Sequence, residues 1–195
     1  MLLVLDQVRK RYGATVVLRD VSLQLAAGEC CRVHGANGSG KSTLLRLAAG
    51  VSLCDSGRIE RAGSASYVGH DDALLTDCTV SQNLSHLSRL DPDWHAQGAA
   101  EHLQGLGLAP YLHTRIRVLS QGTRRKVSLL LQLGSAAALM LADEPFAGLD
   151  VPSVEYVRSV YRTRLAQGGA LLWTHHGADA LDAEGTSLQL GVRGA

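Results

Sequence analysis

The chain has 195 residues, 46% of them hydrophobic, enough for a single domain with a full core. Nineteen basic against 18 acidic side chains leave a net charge of +1, which offers no field to attract nucleic acid or an anionic membrane surface, so no nucleic-acid partner is expected. Cys30, Cys31, Cys54 and Cys78 show neither a C-x-x-C pair nor a zinc spacing, and MLLVLDQVRK lacks a signal core with a cleavage site, which predicts free thiols in a reducing cytosol.

In chain order, Leu2 to Leu5 and Thr15 to Leu25 carry period-2 or mixed β patterning with breaks at Gly13 and Ala27-Gly28, predicting paired strands flanking a turn. Tyr12 lies beside Arg9, Lys10 and Arg11; stacking on a purine ring and an ordinary strand or surface tyrosine are both open readings. Next comes GANGSGKST, between the apolar segment Cys30 to Val33 and the helical pattern LLRLAAG. It fits G-x-x-x-x-G-K-[ST], with Gly35, Gly40, Lys41 and Ser42 at the fixed positions. Its glycines let the backbone curl so that successive N–H groups point inward, and the following helix adds the positive end of its dipole. Gly35, Ala36, Asn37, Gly38, Ser39, Gly40, Lys41, Ser42 and Thr43 thus form a cradle for a polyphosphate. Lys41 supplies a point charge for the β- and γ-phosphates, and the Ser42 hydroxyl is placed as a ligand to Mg²⁺.

The helix is predicted to run to about Ala49 and stop at Gly50, and CDSG turns into short strands at Arg58 to Glu60 and Ser64 to Val68. Thr79 with Gln82 forms a capping-box signature, and Asp91-Pro92 marks a second helix start. Two or three helices, punctuated by Gly98, Gly105 and Gly107, then make an insert on the α/β body, with no internal repeat. In VLSQGTRRKV, Ser120 caps a further helix whose first N–H groups stay uncovered at Gln121 and Gly122. Arg124, Arg125 and Lys126 in its first turns read either as partners of a bound anion or as a solvated basic face. Val127 to Ala142 is interrupted by Ser128, Gln132, Gly134 and Ser135, so it reads as a buried helix followed by a buried strand, not a membrane span.

That strand ends in Asp143 and Glu144, and ligands of open α/β sheets sit beyond the carboxyl ends of the strands. Asp143 resembles the acid that holds Mg²⁺, usually through water, and Glu144 is positioned to polarise an attacking water; a buried strand that merely ends in a charged turn is the other reading. Asp150 reads as an N-cap before the helix Ser153 to Gln167, which Gly168-Gly169 stop. Ala170 to Thr174 form another buried strand that ends in His175 and His176, where an imidazole can reach a γ-phosphate oxygen.

Taken in order, these residues resemble the ATP-binding subunit of ABC transporters over nearly the whole chain. The resemblance implies an α/β P-loop NTPase with a RecA-like core, an antiparallel β subdomain and an inserted α-helical subdomain: residues 1–70 and 116–195 for core and β subdomain, 71–115 for the helical one, all in one ABC ATPase domain. It assigns Tyr12 to adenine stacking, LSQGT (Leu119 to Thr123) to the signature, LMLADEP to the Walker B strand, AGLD to the D-loop and His175 to the switch histidine. ATP and Mg²⁺ are the implied cofactors, with Ser42 and Asp143 at the metal and Glu144, His175 and His70 in catalysis. The partners it implies are a second copy or a related ATPase, whose nucleotide Ser120, Gln121, Gly122 and Asp150 would meet, and an integral membrane permease at the cytoplasmic face of the plasma membrane. Two departures stand out: His70, in YVGHDD, occupies the Q-loop glutamine position, and the signature carries Gln121 and Thr123 for glycine and glutamine. The Y-x-G-H stretch and the short length are most similar to the haem-exporter ATPases of bacterial cytochrome c maturation. A non-transport ABC ATPase is the alternative, but the chain shows no coiled-coil insert, tandem cassette or basic groove. A P-loop kinase leaves LSQGT, DEP and AGLD without explanation, and Glu144 with His175 speaks against a module that only holds ATP.

Overall fold

The computed structural model describes residues 1–90, 93–175, 181 and 185–191, with the backbone alone at 96–97. Asp91, Pro92 and His176, all singled out above, lie outside the described residues. β1 (Leu3–Tyr12) and β2 (Thr15–Leu25) pair antiparallel across Gly13, whose φ of 57° suits the turn. β1 runs well beyond the Leu2 to Leu5 alternation. Leu3 and Leu5 point inward, then Gln7 takes φ 50° at a register shift and the next inward residue is Val8. That irregularity moves the strand's phase by one residue, so a strict period of two marks only its first half. β3 (Cys30–His34) leaves for a second sheet, and β4 (Ser56–Arg61) returns to the other side of β1, completing the order β2-β1-β4.

The second sheet adds β5 (Ala65–Val68), β6 (Leu139–Asp143), β7 (Ala170–Thr174) and β8 (Thr186–Gln189) in the order β5-β6-β7-β3-β8, every pair parallel. β6 and β7 are buried throughout, which is why each reads as an unbroken apolar run. Alternate strand residues feed two cores: Cys31, Leu141 and Leu172 face the antiparallel sheet and the first helix, whereas Cys30, Met140 and Leu171 face the remaining helices. Nothing in TSLQ marks β8, an edge strand whose side chains are mostly exposed. α1 (Lys41–Ala49) starts from Gly40 and ends at Gly50, whose left-handed conformation lets its N–H reach the carbonyls of Arg46 and Leu47. Leu44, Leu45 and Leu47 are fully buried, each worth about 1.5–3 kcal/mol.

The predicted capping box opens α2 (Val80–Leu90): Gln82 N–H donates to Thr79 Oγ1 at 3.2 Å, and Thr79 N–H donates to Gln82 Oε1 at 2.9 Å. α3 (Ala96–Gly105) begins later than the Asp91-Pro92 signature, from His95, because Trp94 is held in a bridge with Ser135. α4 (Gln121–Leu133) carries Ser120 as its cap, and α5 (Val151–Ala166) starts two residues earlier than Ser153, directly after Asp150. Val80, Ile116, Val127, Tyr161 and Trp173 share one core, so the inserted helices pack continuously with one face of the parallel sheet. All four cysteines are free thiols, and no helix among the described residues is long and apolar enough to cross a membrane.

Asp150 acts as the predicted N-cap: Oδ2 accepts from Lys126 Nζ at 2.8 Å and Oδ1 accepts from Ser153 N–H at 3.0 Å. The bond from Lys126, then those from Ser153, pull its pKa down to about 2 from 3.8. Since the folded-state value lies below the unfolded one, this contribution is complete above about pH 4 and fades as pH falls towards 2. Asp150→Ala is expected to cost about 1 kcal/mol at neutral pH. The gap between the urea midpoints of the two chains should narrow progressively below about pH 4.

Candidate nucleotide site

The predicted phosphate loop stands where β3 hands over to α1. Gly35 has φ 149°, and a Cβ there would lie 2.4 Å from Ser39 Oγ; at Gly40, with φ 102°, it would lie 2.8 Å from Leu18 Cδ2 and 2.9 Å from Val17 Cγ1. Both positions therefore need glycine. Lys41 Nζ donates to the loop carbonyls of Gly35 at 2.8 Å and Ala36 at 3.1 Å, which folds the cation back over the cradle. A cleft of about 520 Å³ opens here, lined by Asn37, Gly38, Gly40, Lys41, Ser42 and Thr43 together with Tyr12, Val17, His70 and Glu144. That volume suits a small-molecule ligand. Gly35, Ala36 and Ser39 complete the loop without belonging to the lining.

At the carboxyl end of β6, Asp143 is 2% exposed, and its Oδ1 accepts from Thr174 Oγ1 at 2.6 Å. Oδ2 is buried with no hydrogen-bond partner among the described residues. A buried carboxylate oxygen left in that state is costly, and with the Ser42 hydroxyl on the cleft wall it fits the oxygen ligands a hard cation such as Mg²⁺ takes. Glu144 turns out of the strand with φ 49°, a conformation uncommon for a residue with a side chain. Its N–H donates to Thr174 Oγ1 at 2.9 Å, and its carbonyl accepts from Arg125 Nη2 at 2.8 Å. His70 shares the cleft lining with Glu144. His175 does not: its ring stacks on Trp173 at 5.7 Å and meets Phe146 edge-on at 5.6 Å, and its carbonyl accepts from Arg32 Nη2 at 2.8 Å.

The predicted signature segment lies elsewhere. Ser120 caps α4, accepting from Thr123 N–H at 3.1 Å, and both Ser120 and Gln121 are exposed. A Cβ on Gly122 would sit 2.9 Å from the Gly148 carbonyl, so the start of α4 abuts the AGLD turn, and Lys126 ties it to Asp150. Ser120, Gln121, Gly122 and Asp150 are all absent from the cleft lining.

Arg125 departs from both sequence readings. It is only 6% exposed, and its guanidinium is spent on backbone carbonyls. The signal was present in its spacing to Leu129 and Leu133, which puts it on a buried row of the helix. Val17 and Thr174 were also missed. Val17 lines the cleft from near the start of β2, and Thr174 joins Asp143 to Glu144 from the neighbouring strand, contacts that only the tertiary fold creates.

The sequence profile of the family described as ABC transporter matches residues 18–147. The chain belongs to the ABC transporter family. Among its relatives is the cytochrome c biogenesis ATP-binding export protein CcmA of Gluconobacter oxydans, 38% identical over 164 residues, covering 84% of this chain and 76% of that one. The protein of the same name from Cupriavidus pinatubonensis is 37% identical over 194 residues, covering 92% and 84%. Among solved structures, an ATP-binding subunit of an ABC transporter superposes with a TM-score of 0.81 at 25% identity, over 90% of this chain and 80% of that one. A dimeric ATP-binding cassette in a post-hydrolysis state with ADP and Pi reaches 0.85 at 20% identity over 96% and 94%, a likeness of fold. The family and fold that the ordered motifs implied are thus borne out. This chain is the ATP-binding subunit of an ABC transporter, an ATPase that hydrolyses ATP to drive transport.

Proposed function

We propose that ATP lies in the cleft with its adenine on Tyr12, its phosphates in the Gly35 to Thr43 loop and its γ-phosphate before Glu144, and that a second copy of the chain closes over it. The observation that carries this reading is the joint lining of one cleft by Lys41, Ser42, His70 and Glu144, while Ser120 and Gln121 present a capped, exposed helix start that is not part of that cleft's lining. Mg²⁺ held by Ser42 and, through water, by Asp143 would neutralise charge on the phosphates.

Glu144 takes the proton of the attacking water as it adds to the γ-phosphorus and the bond to the ADP oxygen breaks. Lys41 and the inward N–H groups stabilise charge on the transferred phosphoryl. His70, on the same wall, bridges to that water in place of the usual glutamine; His175 serves as the switch, its ring leaving the Trp173 stack to meet the γ-phosphate. Ser120, Gln121, Gly122 and Asp150 of the partner supply the opposing wall.

Residues 71–115 form a helical subdomain that meets a membrane-embedded permease at the cytoplasmic face of the plasma membrane. The relatives named for cytochrome c biogenesis and export favour export, and the Y-x-G-H resemblance favours haem as the cargo. Light scattering with Glu144→Gln tests the pairing: ATP should double the mass. A mass that stays monomeric with ATP bound sinks the closed dimer. Capture on the full chain from solubilised membranes should return a polytopic permease, and recovery without one removes the transport partner.

A further inference from the structure

We propose that Arg125 is a positioning residue for Glu144: one buried guanidinium binds the backbone that carries the catalytic carboxylate to the loop that carries His70. This rests on the reading of Glu144 as general base. From α4, Nη2 donates to the carbonyls of Asp143 at 2.6 Å and Glu144 at 2.8 Å, while Nη1 donates to the carbonyl of Gly69, the residue before His70. Nη1 also lies 3.9 Å from Asp72 Oδ1, which accepts from Ser128 Oγ at 3.0 Å one helical turn further on. A single side chain of the helix that begins at Ser120 therefore meets three carbonyls from two segments of the cleft wall.

The energetics single it out. A glutamate at φ 49° costs on the order of 1–3 kcal/mol and persists only where its surroundings over-determine it. Two bonds do so here: Thr174 Oγ1 accepts from the Glu144 N–H, and Arg125 donates to its carbonyl. Thr174 holds the peptide group on the N-terminal side of Glu144, and Arg125 holds the one on its C-terminal side. Without the guanidinium, the Glu144 carbonyl is released and the residue can relax towards an ordinary backbone conformation, which swings its carboxylate away from the γ-phosphate. Charge reinforces the bonds, since a guanidinium presents fixed, forked donors that no neutral side chain reproduces. Arg125 lines no part of the cleft, so its effect is on the chemical step and not on nucleotide affinity.

The test uses the full chain with Arg125→Gln, Glu144→Gln and the double variant, measuring kcat and the Kd of a fluorescent ATP analogue. Arg125→Gln should lower kcat about 100-fold, the scale of a misplacement near 1 Å. The analogue's Kd should stay within about threefold. If Arg125 acts through Glu144, adding its substitution to Glu144→Gln should slow turnover by no more than about threefold again, because residues that act as a unit are not additive. The proposal is overturned by a kcat for Arg125→Gln within about threefold of the unaltered chain, by a Kd that weakens in step with kcat, or by losses that multiply in the double variant. Should Arg125→Gln lose its far-ultraviolet dichroism, Arg125→Lys takes its place under the same criteria, with an expected loss of about tenfold because its ammonium lacks the forked geometry. Full turnover in Glu144→Gln alone removes the general-base reading, whatever Arg125 does.

Discussion

Glu144→Gln is expected to lower kcat by about 10²–10⁴-fold, the range that a positioned general base contributes. Glutamine is nearly isosteric, and Glu144 is held through its backbone, by Thr174 and Arg125, so the substitution removes the proton acceptor and leaves the turn intact. Nucleotide affinity should consequently hold while turnover is lost, so KM and kcat separate. A steady-state assay beside analogue titration reads this directly. If kcat stays within a few-fold of the unaltered chain, another group takes the proton, and His70 on the same wall is the first to examine.

The second large effect is expected at Lys41. Its ammonium lies over the loop, 2.8 Å from the Gly35 carbonyl and 3.1 Å from that of Ala36. On the proposed reading of the cleft, Lys41→Ala removes a cation that meets phosphate oxygens in both the bound and the transition state. A charged hydrogen bond is worth about 1.5–3 kcal/mol, so nucleotide Kd should weaken roughly 10- to 100-fold. Charge developing on the transferred phosphoryl asks for more, and kcat/KM should fall by about 10²–10³-fold. Unlike Glu144→Gln, this variant loses binding and chemistry together. Because the head group is partly exposed and its hydrogen bonds among the described residues go to loop carbonyls, the urea midpoint should scarcely move. A large midpoint shift would mean that the loss reflects unfolding and not phosphate recognition.

The legible part of the site is the part that is contiguous. Gly35 to Thr43 supply their N–H groups, their lysine and their hydroxyl from consecutive residues, so spacing alone announces the cradle. The same holds for caps: Thr79 with Gln82, Ser120 and Asp150 each bond within three residues of themselves. β6 and β7 were visible because strands covered on both faces must be apolar throughout. β1 was visible only to the Gln7 irregularity, and β8 not at all, since an exposed edge strand of TSLQ carries neither alternation nor an apolar run. The ordered motifs, through their family resemblance, supplied what periodicity did not.

The sequence by itself determined the glycine loop between β3 and α1, the two carboxylates at the end of a buried strand and the α/β class, because each depends on neighbours along the chain. Only the tertiary structure decided that Tyr12, His70 and Glu144 share a wall with Lys41, that Thr174 joins Asp143 to Glu144, and that Arg125 turns inward to three carbonyls. The reason is physical: a guanidinium on a helix surface looks the same in sequence whether it meets water or backbone. What it meets is set by the parallel order β5-β6-β7-β3-β8, which brings the ends of β5 and β6 together under α4.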